Sequence, residues 1–369
     1  MGKGICFMGL PLKNPVVVAA GPWSGGAAGI QRCIDAGAAA VITETIQTEE
    51  PSVLSPRIYY RNGQLLNLSL YGRRSLEEWE AEVERIDRRD SFVIFSIRGS
   101  SPSEIAYLAQ KTERLGADAL QLDIFAPMDS LLEEISIQPE KLGEMTRAVV
   151  EAVHIPVMAR LPYNISASTA YVRAVERAGV SAISTIESLR GLSGVDVERR
   201  ASVMPTFGGY TGPHIRPISL AATATLAQLT DCQICSVGGV EDYVNILEFM
   251  MLGATAVQLG SVVMLRGYGT IADTVERLEH WMQAHGCDGY GPLIGAALPT
   301  LRPHGRLPRS RKAARLLRPC GDASCGLCVS GCMYGALCFG EEGVRVTPAR
   351  CSGCGLCVQR CPEGALALE

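Results

Sequence analysis

From Pro15 to Ser261 the chain alternates short apolar runs with amphipathic segments. The apolar runs are VVVAA (16–20), AAVITET (39–45), FVIFSIR (92–98), ALQLDI (119–124), PVMARL (156–161), AISTIE (182–187), QICSVGG (233–239) and AVQLGS (256–261). They are rich in Val and Ile and lack strict apolar–polar alternation, as expected of parallel strands buried on both faces. Between them the apolar positions recur with helical spacing. The segment 101–116 opens with a Ser-x-x-Glu capping pattern and ends in Gly, and 168–179 and 242–253 also end in Gly. Eight strand–helix units over about 250 residues predict an α/β fold, a TIM (β/α)8 barrel. A doubly wound open sheet is the alternative, and eight regular units speak against it.

Beyond the helical segment 270–286 the pattern stops. Residues 301–319 carry Arg and Lys, several prolines and no acid, and read as a solvated linker or as a docking strip for an acidic partner. The expected domains are therefore a barrel over 1–300, a basic linker over 301–319, and a small ferredoxin-like α+β domain over 320–369.

Cysteine usage defines that last domain. Nine of the 14 cysteines lie between Cys320 and Cys361, a distribution unlike a secreted disulfide framework. CGLCVSGCMYGAL from Cys325 is repeated as CGLCVQRCPEGAL from Cys354. The second copy completes the run Cys351-x-x-Cys354-x-x-Cys357-x-x-x-Cys361-Pro362, the pattern of two-cluster ferredoxins, in which the fourth Cys of each run ligates the other cluster. Cys351, Cys354, Cys357 and Cys332 are thus expected to hold one 4Fe–4S cluster, and Cys325, Cys328 and Cys361 three irons of the other. The repeat places Asp322 where the remaining ligand should stand, with Cys320 two residues earlier; Cys320 is preferred as a thiolate, Asp322 is its rival, and a three-iron cluster is the third option. Cys338 is left over and is expected to pack as a small hydrophobe. Zinc is the alternative for Cys-x-x-Cys pairs, but two interleaved runs ending in Cys-Pro favour iron–sulfur clusters. Such clusters move single electrons, and flavin is the usual converter to electron pairs.

Composition narrows the setting. With 47% hydrophobic and 20% charged residues and a net charge of −4, the chain reads as a globular cytoplasmic protein without a global basic field for nucleic acid. No apolar run is long enough to span a membrane. No strand is followed by Gly-x-Gly-x-x-Gly, so no NAD(P) site is expected. Electrons would then come from or go to a separate NAD(P)H–flavin reductase subunit or a ferredoxin.

Glycines end the last two barrel strands, in SVGGVED (236–242) and QLGSVV (258–263). The loops after strands seven and eight commonly bind phosphate, and the backbone amides of Gly238, Gly239, Gly260 and Ser261 suit that role. NPVVVAAGPWS (14–24), FSIRGSSPSE (95–104), YTGPHIRPISLA (210–221) and SVGGVEDYVNILEFMMLGATAVQLGS (236–261) resemble the dihydroorotate dehydrogenase family. With the cysteine tail, the layout resembles the FMN and iron–sulfur half of dihydropyrimidine dehydrogenases. The resemblance implies FMN at the barrel mouth and hydride transfer between flavin N5 and a C=C or CH–CH bond of a pyrimidine ring. It places Ala20, Gly21, Thr45 and Gln121 at the flavin, and Thr211, Gly212, Gly238, Gly239, Gly260 and Ser261 at its phosphate. Arg160 stands where the family has a Lys near flavin N1 and O2, and keeps the cation. Family analogy also implies a homodimer or hetero-oligomer.

The resemblance breaks at the catalytic position. LQLDIF occupies the place of the family's LNLSCP, so Ile124 stands where a catalytic Cys is expected. Glu44 replaces a Lys, Glu187 replaces a substrate-binding Asn, and Asn67 matches a substrate-binding Asn. Asp123 is the first candidate acid–base residue, then Tyr71 or Tyr163. The structural alternatives are a helix cap or an Arg98 pair for Asp123, a salt bridge to Arg160 or another barrel arginine for Glu44, and a solvent-exposed loop edge for Glu187. Three carboxylates would disfavour orotate by like-charge repulsion and suit a cationic or amine-bearing substrate, or one whose proton is handled by a carboxylic acid; a pyrimidine-like ring stays open. The alternative function is an electron-transfer subunit of a larger complex without substrate turnover.

Overall fold

The computed structural model describes residues 4–48, 54–69, 71–124, 138–307, 312–320, 324–340 and 343–369. The chain divides into two compact units, Met1–Leu301 and Arg302–Glu369.

The first unit is a closed barrel of eight parallel strands. These are β1 (Val16–Val18), β2 (Ala40–Ile42), β3 (Phe92–Ile97), β4 (Ala119–Leu122), β5 (Val157–Arg160), β6 (Ala182–Thr185), β7 (Gln233–Val237) and β8 (Ala256–Leu259). Each pairs with its sequence neighbours, and β8 closes on β1 through Val257↔Val16 and Leu259↔Val18. All eight lie within the apolar runs of the sequence. Both faces of nearly every strand are buried, which is why those runs lack alternation.

The helices end where glycine and capping residues require. Ser101 Oγ accepts from Glu104 N at the head of Pro102–Arg114. The return half of the capping box is displaced by one residue, since the Glu104 carboxylate accepts from Ser100 N (2.8 Å) rather than from Ser101. Asp242 caps Tyr243–Met251 by accepting from Val244 N and Asn245 N. A hairpin of Ile5–Phe7 and Leu10–Leu12 is tied to the entry of β7, where Met8 N donates to Gln233 Oε1 (2.6 Å) and Gln233 Nε2 donates to Cys6 O.

One structural element was not anticipated. A four-stranded antiparallel sheet assembles Leu189–Gly191, Gly208–Thr211, Gln64–Asn67 and Ile58–Arg61 from loops far apart in sequence. Its sequence signal is the turn Asn62-Gly63, with φ of 52° and 77°, the positive pair that a tight two-residue hairpin demands.

In the second unit, helices Leu327–Ser330 and Leu356–Arg360 occupy matching places in the repeat, as do the strands Leu337–Gly340 and Leu366–Leu368; the first of these strands forms a hairpin with Gly343–Val346. Part of the segment read as linker is folded: Ala314–Leu316 pairs antiparallel with Leu366–Leu368, because its Ala and Leu side chains complete a small core. Cys338 is exposed rather than packed, since strand alternation turns Leu337 inward instead. Among the described residues no helix is long and apolar enough to cross a membrane.

Candidate active site

The C-terminal ends of the strands surround an open cleft. Its wall includes Ala20, Gly21, Glu44, Thr45, Asn67, Tyr71, Asp123, Arg160, Glu187, Thr211, Gly238, Gly260 and Ser261. The antiparallel sheet contributes Asn67, Gly209 and Thr211, so the cleft has a roof as well as a floor. Trp23, Ser69 and Ser188 also line it and were missed in the sequence; only Trp23, within GPWS after β1, lay in a conspicuous motif.

Three carboxylates from the exits of β2, β4 and β6 converge here. Glu44, Asp123 and Glu187 are each only 6% exposed. Burial therefore replaces the solvent-exposed alternative for Glu187. Arg160, at the end of β5, donates from Nη1 to Asp123 Oδ2 (3.2 Å), and Thr45 Oγ1 donates to the same oxygen (2.8 Å). The ion pair of Asp123 is thus made with Arg160, the neighbouring strand's cation. Burial opposes the charge on Arg160, but the Asp123 and Glu187 carboxylates hold its guanidinium above its ordinary range. Burial also pushes the Glu44 carboxyl up. The Arg73 backbone N–H and the charges of Arg73, Arg57 and Arg74 oppose that rise without cancelling it. These arginines lie on the loops over the barrel rather than on its strands.

Several polar atoms are left available. Asp123 Oδ1, Arg160 Nε, Gln121 Oε1 and Thr185 Oγ1 are buried with no hydrogen-bond partner among the described residues. Buried polar groups are normally satisfied, so this concentration beneath one cleft fits a polar ring bound there. Gln121 is fully buried inside the barrel, its Nε2 donating to Ser96 Oγ at 3.4 Å. The glycines after β7 have a steric reason. A Cβ on Gly239, whose φ is 78°, would lie 2.5–2.8 Å from Arg216, partly from its backbone, and one on Gly238 would lie 3.0 Å from Ser219 Oγ. The loop can therefore lie flat and present its amides, as a phosphate cradle needs. Gly212 and Gly239 lie outside the cleft wall itself. These features fit FMN.

Of the remaining acid–base candidates, Tyr71 lines the cleft with the Arg98 guanidinium 4.3 Å over its ring. Tyr163 does not; it is 53% exposed on the short helix Tyr163–Ser166. Its position after Pro162 starts that helix and turns the side chain to solvent. Ile124 is buried in the barrel core.

In the second unit Cys320, Cys325, Cys328 and Cys361 line one cavity. Asp322 lies outside the described residues. Burial raises the Cys357 thiol, and so do the neighbouring Cys351 and Cys354. At Cys332 burial is outweighed by the backbone N–H groups of Ala336, Tyr334, Leu337 and Gly335, which hold the thiol below its ordinary value. Among the described residues no three His, Cys, Asp or Glu side chains converge on a single metal ion. Four thiols around a cavity fit a multi-atom cluster better than the tight tetrahedron of zinc.

The chain matches the family described as dihydroorotate dehydrogenase over residues 5–282, and a 4Fe–4S binding domain over residues 344–367. It is 32% identical over 300 residues to the dihydroorotate dehydrogenase B (NAD(+)) catalytic subunit of Pyrococcus abyssi, covering 79% of this chain and 98% of the relative. The same-named subunit of Thermococcus kodakarensis is 31% identical over 302 residues, 80% of this chain and 97% of the relative. The NAD-dependent dihydropyrimidine dehydrogenase subunit PreA of Escherichia coli is 25% identical over 351 residues, reaching 90% of this chain and 85% of the relative. With the closed barrel and its glycine-bounded mouth, these matches establish that the chain belongs to the dihydroorotate dehydrogenase family, oxidoreductases acting on CH–CH bonds, and carries a C-terminal iron–sulfur domain.

Proposed function

We propose that this protein is an FMN- and iron–sulfur-dependent oxidoreductase. Its substrate is a small, neutral or amine-bearing molecule, pyrimidine-like in size, with a C=C or CH–CH bond. Bound FMN would exchange an electron pair with that bond, and two 4Fe–4S clusters would pass single electrons to or from a separate partner. Gly238, Gly239, Gly260, Ser261, Thr211 and Gly212 would hold the phosphate, and Ala20, Gly21, Thr45 and Gln121 would border the ring. Arg160 would stabilise negative charge beside it. Asn67, on the roof, would orient substrate.

The observation that carries the reading is the Arg160–Asp123–Thr45 cluster beneath the cleft. It leaves Asp123 Oδ1 without a partner among the described residues, beside the buried Ile124 that occupies the place of the family's acid–base residue. Asp123 is thereby the candidate to give or take a proton at that oxygen. Glu44 and Glu187 add two carboxylates to a wall in which Arg160 is already paired with Asp123, which favours a neutral or cationic substrate over an anion such as orotate. The eight cysteines Cys320, Cys325, Cys328, Cys332, Cys351, Cys354, Cys357 and Cys361 would hold the clusters.

The buried Ile124 also favours a second reading, an electron-transfer subunit without turnover. An anaerobic titration separates the two. The fully reduced protein is mixed with unsaturated rings and amines while its visible absorbance is followed. Reoxidation by one compound, slowed at least about 100-fold in Asp123→Asn, is the expected result. Reoxidation by no compound, with rapid exchange with a ferredoxin, would establish the second reading.

A further inference from the structure

We propose that the iron–sulfur unit docks an acidic one-electron carrier protein on a surface centred on Met333 and Tyr334 and rimmed by Arg350 and Arg360. The proposal rests on the iron–sulfur reading above and specifies its partner.

The first ground is charge. The segment Arg302–Glu369 contains ten Arg and Lys against five Asp and Glu, while the remainder of the chain has 24 against 33. An acidic chain thus carries a cationic appendage. Among the described residues of that unit, one side-chain ion pair forms, Arg315 with Glu369. Arg350 and Arg360 have no carboxylate partner among the described residues and are exposed.

The second ground is placement. Met333 is 95% exposed, and Tyr334 and Leu356 are also open to solvent. Met333 directly follows Cys332, a proposed ligand, so this loop tip is covalently next to a cluster site. Arg360 Nη1 lies 2.9 Å from where a Cβ on Gly331 would sit, with Leu356 Cδ2 at 3.8 Å from the same point. Arg350 Nη1 lies 4.0 Å from the corresponding point on Gly335. The two guanidiniums therefore flank the loop Gly331–Gly335, one at each end.

An apolar centre permits close, water-free approach to the cluster, and an exposed basic rim steers a negatively charged protein toward it. Small contact areas of this kind suit transient redox encounters. Each encounter passes one electron, oxidising one partner and reducing the other. Two encounters match the electron pair exchanged at the C–C bond.

The test is association of the full chain with a purified acidic ferredoxin, followed by biolayer interferometry at low and high ionic strength. Iron and acid-labile sulfide are assayed on the same samples. Arg350→Glu combined with Arg360→Glu should lower the association rate about tenfold or more and remove most of its salt dependence. Arg350→Lys combined with Arg360→Lys should retain both. Arg277→Glu, on the barrel helix Gly269–Ala284, serves as the charge-reversal control in the other unit and should change neither. Met333→Glu provides a second disruption should the double reversal lose its clusters. Wild-type association that is absent, insensitive to salt, or unchanged by the Glu variants overturns the proposal while clusters are present. Wild-type protein without iron and sulfide overturns the iron–sulfur reading, and this proposal with it.

Discussion

The barrel and the cysteine unit solve opposite problems. The barrel buries a continuous core from Val16 and Ile42 through Phe95 and Leu122 to Val257, and its closed sheet leaves no strand edge. Its site is a by-product of that rigidity: loops and side chains are held at the mouth by a scaffold needing no ligand. Among the described residues the cysteine unit's buried core consists of Ala314, Ala336, Leu337, Val344, Leu366 and two of its own proposed ligands, Cys351 and Cys357. So small a core gains little from apolar burial, and on the proposed iron–sulfur reading ligand binding and folding are expected to be coupled. On that reading one region has a fold that makes a site, and the other a site that makes a fold.

The sharpest way to break this contrast is to remove the clusters. Cys354→Ala, or iron chelation, is expected to abolish cooperative unfolding of Arg302–Glu369 and expose it to protease, while the barrel keeps its flavin absorbance and melting transition. A unit that stays folded without iron would end the comparison.

A smaller effect is expected inside the barrel. Asp123→Ala leaves the buried Arg160 charge without its partner, which costs about 3–5 kcal/mol. Urea denaturation should show this loss with the slope unchanged. A loss below about 1 kcal/mol would mean that Arg160 finds another anion, with Glu187 the nearest claimant.

The smallest effect concerns Glu44. Its carboxyl is raised above the ordinary 4.5 by burial, so folding favours the protonated form. That contribution is fully present below 4.5 and is lost as pH rises through the folded value. Glu44→Gln should match wild type in acid and become progressively more stable than wild type as pH rises. Parallel stability curves across that window would show that Glu44 is not desolvated.

Chain chemistry alone determined the eight strands, because a strand buried on both faces must be largely apolar and its helix commonly stops at glycine. It determined the doubled cysteine run for the same kind of reason, since ligand geometry is written in local spacing. Glu44, Asp123 and Glu187 also announced themselves, as carboxylates at strand ends where family resemblance expects other residues. Their convergence, the pairing of Asp123 with Arg160 and the exclusion of Tyr163 were decided only in three dimensions. Nothing local distinguishes a tyrosine facing a cleft from one facing water. The same holds for the roof of the cleft: Asn62-Gly63 marks a hairpin, but its alignment beside Gly208–Thr211 depends on long-range pairing. Cys338 shows the limit at its smallest, where one step of strand alternation sent Leu337 inward and the thiol out. Spacing along the chain sets periodicity and ligand reach; closure of the barrel sets which distant side chains share a dielectric, and hence which charges meet.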